Sequence, residues 1–170
     1  FAITQPTELI SSATSTNVNC FGGNNGTATI VGSGGTSPYQ YLWAHDLSTN
    51  STSSGLSAGS YQAIITDANG CTSSSSITIA QPSALNLSAT SLPSYCGNAN
   101  GSVEAIVSGG VGPYNYQWMP GNIPTASSYN LLPGTYTVMI TDANGCTSTM
   151  NSVVAGHPSP IASIASSSDV

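Results

Sequence analysis

One block of sequence occurs twice, and it constrains the fold more than any other feature of the chain. GSYQAIITDANGC runs from Gly59 to Cys71 and returns as GTYTVMITDANGC from Gly134 to Cys146. Read with period two, the first copy puts Tyr61, Ala63 and Ile65 on one face and Gln62, Ile64 and Thr66 on the other. The second sets Tyr136, Val138 and Ile140 against Thr137, Met139 and Thr141. Alternation of this kind, rich in aromatic and β-branched residues, predicts a half-buried strand. Asn69-Gly70 and Asn144-Gly145 then offer the positive φ angles of a tight hairpin turn. Asp67 recurs as Asp142, a period of 75 residues. A unit that short buries little surface and is expected to need a covalent staple.

Each copy closes on a cysteine. The four cysteines recur at matching places, Cys20 and Cys71, then Cys96 and Cys146. No Cys-x-x-Cys spacing occurs, which argues against a zinc or redox site. Widely spaced, repeated cysteines read as structural disulfides and an oxidising compartment. The expected pairs are Cys20–Cys71 and Cys96–Cys146, each inside its own unit. Closing a loop of that size contributes roughly 4 kcal/mol in the chain-entropy model.

The chain has no Lys or Arg against six acids, a formal charge of −6. It has nothing with which to neutralise phosphates, which excludes direct nucleic-acid binding. An anionic membrane surface is excluded for the same reason, as are Lys–Asn isopeptide cross-links. Solubility rests instead on hydroxyls and amides, with 30 serines and 19 threonines. No signal peptide or membrane-spanning run is visible, so a mature chain or an excised fragment of a secreted protein is expected.

The repeat sets the organisation. Phe1–Pro6 (FAITQP) matches Ile77–Pro82 (ITIAQP), so residues 1–6 are expected to be the last strand of a preceding repeat. Residues 7–82 and 83–158 form two units, and 159–170 read as the start of a third. Within a unit, strands are expected over Leu9–Val18, over Thr27–Val31 (repeated as Ser102–Val107), over Pro38–Trp43 (repeated as Pro113–Trp118), at the duplicated block and just before Gln81-Pro82. Variable polar stretches occupy 45–54 and 119–128. Short strands with frequent turn signals indicate an all-β chain of tandem sandwiches. Trp43 and Trp118 on a central strand, with Leu-x-x-Gly-x-Tyr ending at Tyr61 and Tyr136, fit immunoglobulin-like sandwiches. Each tyrosine would be a corner residue whose hydroxyl bonds the loop before it.

The order Cys–Gly-Asn-Asn-Gly–Gly-Gly–Pro-Tyr-x-Tyr-x-Trp–Leu-x-x-Gly-x-Tyr–Thr-Asp-Ala-Asn-Gly-Cys resembles the SprB-type repeats of giant Bacteroidetes cell-surface proteins. Gliding-motility adhesins are among these, and the repeats are related to polycystic-kidney-disease and immunoglobulin-like modules. The second unit departs by one residue in its first turn, Cys96-Gly-Asn-Ala-Asn-Gly101. The resemblance implies a secreted, repetitive surface protein and brings no catalytic residue.

Asp67 and Asp142 are the acids that recur in both units. Asp-x-Asn-Gly superficially opens a calcium loop, but no acidic ligand follows downstream. The preferred reading is a carboxylate that accepts backbone N–H bonds within its turn. Glu104 has Thr29 as its counterpart and Asp46 has Gly121, so no repeated acid pair exists for a two-carboxylate hydrolase. His45 aligns with Pro120, and His157 stands alone at the unit boundary, giving no Ser-His-Asp arrangement. Both histidines are expected at the surface. Asn25, Asn50, Asn86 and Asn100 head Asn-x-Ser/Thr triplets, which chance produces readily in such a composition. The expected function is non-enzymatic and cofactor-free: a spacer or filament segment whose partners are neighbouring repeats. The rival is an adhesin module gripping carbohydrate or a surface through loops 45–54 and 119–128.

Overall fold

A computed structural model of the chain describes residues 5–158. The chain divides into two compact units, Phe1–Ala84 and Leu85–Val170, against an expected boundary after residue 82. The expected strand at 1–6 lies largely outside the described residues, with Gln5 and Pro6 irregular, and the expected start of a further repeat at 159–170 lies outside them.

The first unit holds β1 (Ile10–Thr16), β2 (Gly26–Ser33), β3 (Gln40–Trp43), β4 (Thr52–Leu56), β5 (Gly59–Thr66) and β6 (Thr72–Ile79). The second repeats them as β7 (Asn86–Leu92), β9 (Gly101–Ser108), β10 (Asn115–Met119), β11 (Ser127–Leu131), β12 (Gly134–Thr141) and β13 (Thr147–Val154). It adds two short strands, β8 (Ser94–Tyr95) and β14 (Gly156–His157). One sheet of the first unit has the order β1-β2-β4 and the other β3-β5-β6; the second unit matches with β7-β9-β11 and β10-β12-β13. First, second and fourth strands on one side, with third, fifth and sixth on the other, is the immunoglobulin-like partition. The fold is a tandem of immunoglobulin-like β-sandwiches, as expected.

The cores follow the period-two pattern. Ala63 and Ile65 of β5 are fully buried with Trp43 of β3, Ala28 and Ile30 of β2, and Ile79 of β6. Val138, Ile140, Trp118, Val103 and Val154 repeat the arrangement. Leu9 and Val18, just beyond the ends of β1, close the first core from the two ends of that strand. Gly26 starts β2 where a Cβ would lie 2.8 Å from both Ile79 Cγ2 and Leu56 O. Only glycine fits there, because the two sheets converge at that end. Hydroxyls line the exposed faces and bond across strands, as in Thr16–Thr27 at 2.8 Å and Thr29–Thr52 at 2.9 Å.

Two local expectations are corrected. The variable stretches 45–54 and 119–128 are not wholly loop, for β4 and β11 begin inside them. TSSGL and SSYNL lack apolar alternation because each has only two buried residues, Ser53 and Leu56 or Ser128 and Leu131. The turn after β5 also differs from a two-residue hairpin. Gly70 (φ 84°) and Gly145 (φ 82°) adopt positive φ, whereas Asn69 and Asn144 do not. Gly70 N–H donates to Asp67 O at 3.0 Å, and Asp67 N–H donates to Cys71 O at 2.9 Å. This is a three-residue loop with a left-handed glycine closing it.

Trypsin has no site in this chain, so chymotrypsin is the proper probe of the packing. Phe21, 58% exposed in the loop after β1, should be cut first. Cleavage after Trp43 or Trp118, both fully buried, should be absent from mass-spectrometric maps of early fragments. Early fragments ending at either tryptophan would contradict the proposed cores.

Candidate functional site

The functional features lie at the two ends of each sandwich. At the end where the chain enters the unit, the turn after β5 meets the Gly34-Gly35 bend that follows β2. Asp67 joins them. Its Oδ1 accepts the N–H groups of Asn69 (2.9 Å) and Cys71 (2.8 Å), and its Oδ2 accepts that of Thr36 (2.9 Å). Ala68 N–H adds a backbone bond to Thr36 O at 2.8 Å. Asp142 repeats the set with Asn144 and Cys146 (2.9 Å each) and Val111 (3.0 Å). The approach is close enough to demand glycine. A Cβ on Gly35 or Gly110 would lie 2.8 Å from the carboxylate Oδ2, and both have left-handed φ.

These carboxylates are buried, at 5% and 2% exposure. The Thr36 amide does most to hold Asp67 below the usual carboxylate range, helped by Cys71 and Asn69 against an opposing burial effect. At Asp142, burial pushes the carboxyl up, and the amides of Val111, Cys146, Asn144 and Gly145 together outweigh it. Both carboxylates therefore act as turn locks. As for a metal, no three His, Cys, Asp or Glu side chains cluster as ligands among the described residues.

Tyrosine and tryptophan fix the remaining loops. Tyr61 and Tyr136 donate to Ser57 O (2.9 Å) and Leu132 O (3.0 Å), the corner geometry expected of them. Trp43 Nε1 donates to Asn50 O at 2.9 Å and Trp118 Nε1 to Thr125 O at 3.1 Å, so each buried indole also anchors a variable loop. Sequence reasoning missed a second tyrosine pair: Tyr39 donates to Gly34 O, and Tyr114 to Gly109 O. The Gly-Gly/Pro-Tyr spacing could have revealed it, since it repeats in both units.

His45 is exposed, as expected, and still makes contacts. Its ring stands edge-on to Tyr61, with centroids 4.9 Å apart. Its Nε2 lies 3.5 Å from both Ser53 Oγ and Asp46 Oδ2. Nucleophile and acid thus fall on the same ring nitrogen, whereas a catalytic relay needs one on each. His157 stacks on Tyr95 at 4.9 Å. Asp46 belongs to the first unit and Glu104 to the second. Concavities of about 230 Å³ beside Tyr116, Asn122 and Met139, about 270 Å³ beside Leu92, Glu104 and Tyr129, and about 380 Å³ beside Thr7, Leu9 and Cys71 lie among the described residues.

The cysteines require a correction. Cys71 and Cys96 are free thiols, while Cys20 and Cys146 are disulfide-bonded. The expected pairs Cys20–Cys71 and Cys96–Cys146 are therefore not formed. Strand direction explains why. Cys20 lies near the end of β6, where Val18 N–H donates to Ala80 O and Gly22 N–H to Gln81 Oε1. Cys71 precedes the start of the same strand. Eight residues of β-strand separate those ends by roughly 25 Å, and a disulfide needs Cα atoms within about 7 Å. Cys96, bonded through its N–H to His157 O, is held away from Cys146 by the length of β13.

Fold and turn locks together define the chain as two immunoglobulin-like sandwiches built on one repeated plan. The SprB repeat family model matches residues 12–45 and 88–122, from the first strand of each unit past its tryptophan. Each unit thus contains one segment that matches the SprB repeat model. No curated protein matches the sequence. Among solved structures, an intimin C-terminal fragment in complex with the translocated intimin receptor is 14% identical, with 89% of this chain and 64% of that one covered (TM-score 0.46). A Dscam structure is 9% identical over 77% and 41% (0.33), and surface layer protein SbsC is 12% identical over 94% and 29% (0.36). The chain spans less than two thirds of each. No helix among the described residues is long and apolar enough to cross a membrane.

The locks predict an acid-sensitive fold. A carboxyl whose pKa is lowered on folding contributes stability that is fully present above its ordinary value of 3.8 and is lost as pH falls through the lower folded value. Thermal unfolding from pH 7 to 2 should show a flat plateau and then a steep fall below about 4. Asp67→Asn should lower the melting temperature of the first unit at pH 7 and flatten its acid dependence, leaving the second unit unchanged. An unaltered acid profile would remove the lock from the account.

Proposed function

We propose that this chain is a load-bearing spacer in an extracellular cell-surface fibre, each repeat transmitting tension from the end where the chain enters to the end where it leaves. The observation that carries this reading is the seam between first and last strands. Ser11 bonds Ser73 and Ser75 through its N–H (3.1 Å) and Oγ (2.8 Å) respectively. Val18 N–H donates to Ala80 O at 3.1 Å, and Ala80 N–H to Asn17 Oδ1 at 2.9 Å. The sequence separation stays near 62 along the whole seam, so β1 and β6 run in parallel. In the second unit Ser91 Oγ donates to Val153 O and Ser94 N–H to Ala155 O, and β8 pairs with β14 in parallel.

Opposite pulls on the two chain ends of such a unit act along the strands. The seam's hydrogen bonds cross that direction, so they are loaded together in shear rather than broken one at a time. Resistance to forced unfolding is a matter of unfolding rate, and a bond set that must break together raises that barrier. The hydroxyl-rich surface, without lysine or arginine, suits a segment repeated many times, since it offers no Lys/Arg–carboxylate pairs for salt to disrupt. The contacts of His45 through a single ring nitrogen support a non-enzymatic role. Binding at Tyr129, 70% exposed on β11, is the rival that the same protein can test.

Force spectroscopy on the full chain, pulled from both ends with its cysteines reduced, tests the proposal. Two force peaks are expected, one per unit. Ser11→Ala combined with Asn17→Ala should lower the peak of the first unit only. Extension without peaks would overturn the reading. So would unchanged peaks in that variant together with saturable polysaccharide binding that Tyr129→Ala abolishes.

A further inference from the structure

The outward face of one sheet differs between the two repeats. In the first unit it carries hydroxyls in register: Thr16, Thr27 and Ser54 form one row across β1, β2 and β4, and Thr14, Thr29 and Thr52 form the next. These hydroxyls satisfy one another, Thr16 with Thr27 at 2.8 Å and Thr29 with Thr52 at 2.9 Å. In the second unit the same rows read Leu92, Ser102, Tyr129 and Thr90, Glu104, Ser127. Leu92 (66% exposed) and Tyr129 (70% exposed) stand on the strands either side of β9, whose backbones are about 10 Å apart. Only the small Ser102 fills the row between them. The result is a trough of about 270 Å³ with Glu104 one row along its floor.

Charge decides what fits this trough. Asp67 and Asp142 are engaged by their loop amides, and Asp46 by Ser48 and His45. Glu8 lines a cleft that holds no aromatic side chain. Glu104 has no hydrogen-bond or ion-pair partner among the described residues, and it lies diagonally across the β9–β11 pair from the exposed ring of Tyr129. We propose that this trough of the second unit binds an arginine side chain of a partner protein. Diagonal neighbours in a strand pair stand about 7–8 Å apart, which lets a guanidinium lie flat on the Tyr129 ring while its edge donates two N–H bonds to the Glu104 carboxylate. The aliphatic stem of the arginine then crosses Ser102 towards Leu92. A neutral sugar would stack on Tyr129 and leave the carboxylate charge unmatched. The net charge of −6 also draws cations to the surface. This chain has no Lys or Arg, so a second copy of it cannot fill the site and the occupant is a different chain. The proposal is independent of load bearing and gives the second repeat a role that the first lacks.

The test is an NMR titration of the isotope-labelled full chain at low ionic strength with N-acetyl-arginine methylamide, repeated with the neutral citrulline analogue and with a soluble glucan. The expected result is saturable shifts of the Leu92, Ser102, Glu104 and Tyr129 amides with the arginine probe alone. The Thr16, Thr27 and Thr29 amides on the matching face of the first unit should stay still, which makes that face the internal control. Glu104→Gln and Tyr129→Ala, both at exposed positions, should each weaken the arginine probe about three- to fivefold, and added salt should weaken it further. Equal shifts with the citrulline analogue would overturn the proposal, as would arginine binding that Glu104→Gln leaves unchanged. Shifts spread evenly over both units, or a glucan that saturates the trough amides when arginine does not, would overturn it too.

Discussion

In a chain without lysine or arginine, a buried carboxylate can be held only by N–H dipoles and hydroxyls. Asp67 and Asp142 are held in this way, each by three backbone amides from two separate loops. Leaving such a charge buried and unpaired would be strongly unfavourable, so the two loops are constrained to meet. That meeting fixes the start of β6 against the bend after β2 and draws the two sheets together at one end. Gly35 and Gly110 are the steric consequence, since no side chain fits under the carboxylate.

At the other end the constraint is packing. β2 starts on a glycine pressed between Ile79 and the Leu56 carbonyl, and Val18 closes the core there. Between the two ends run the buried tryptophan, which also ties down the loop after β3, and the serine-rich seam that joins the first strand to the last. Each unit is therefore closed at both ends and along one edge by hydrogen bonds, independently of any internal disulfide. The same strand directions that align the seam put the two cysteines of a unit at opposite ends.

Much of this was legible in sequence. Period-two alternation assigned the faces of β5 and β12 correctly, from Tyr61, Ala63 and Ile65 inward to Ile64 and Met139 outward. The corner tyrosines and the bonds of Asp67 to Asn69 and Cys71 followed from local spacing, because those partners lie within four residues; its bond from Thr36, 31 residues away, did not. The failures were non-local. Pairing Cys20 with Cys71 ignored that β2 and β5 both start beside the end of β6, so the residue before one and the residue after the other lie a strand apart. β4 was hidden because the strand TSSGL turns only a serine and a leucine inward. The seam between Ser11 and Ser73 was invisible because serine repeats at every spacing in this chain, leaving no pattern from which to choose partners.

The account turns on whether the buried carboxylates hold the loops as closed units. Amide hydrogen exchange by NMR at the Thr36, Cys71, Val111 and Cys146 N–H groups, followed from pH 6 down through 3, measures this directly. The account predicts that these loop amides are protected at pH 6 to nearly the level of the Ile65 and Ile140 core amides. It also predicts that they lose protection ahead of the core as the carboxylates protonate. Exchange at the rate of solvent-exposed turns at pH 6, or protection indifferent to acid, would contradict it.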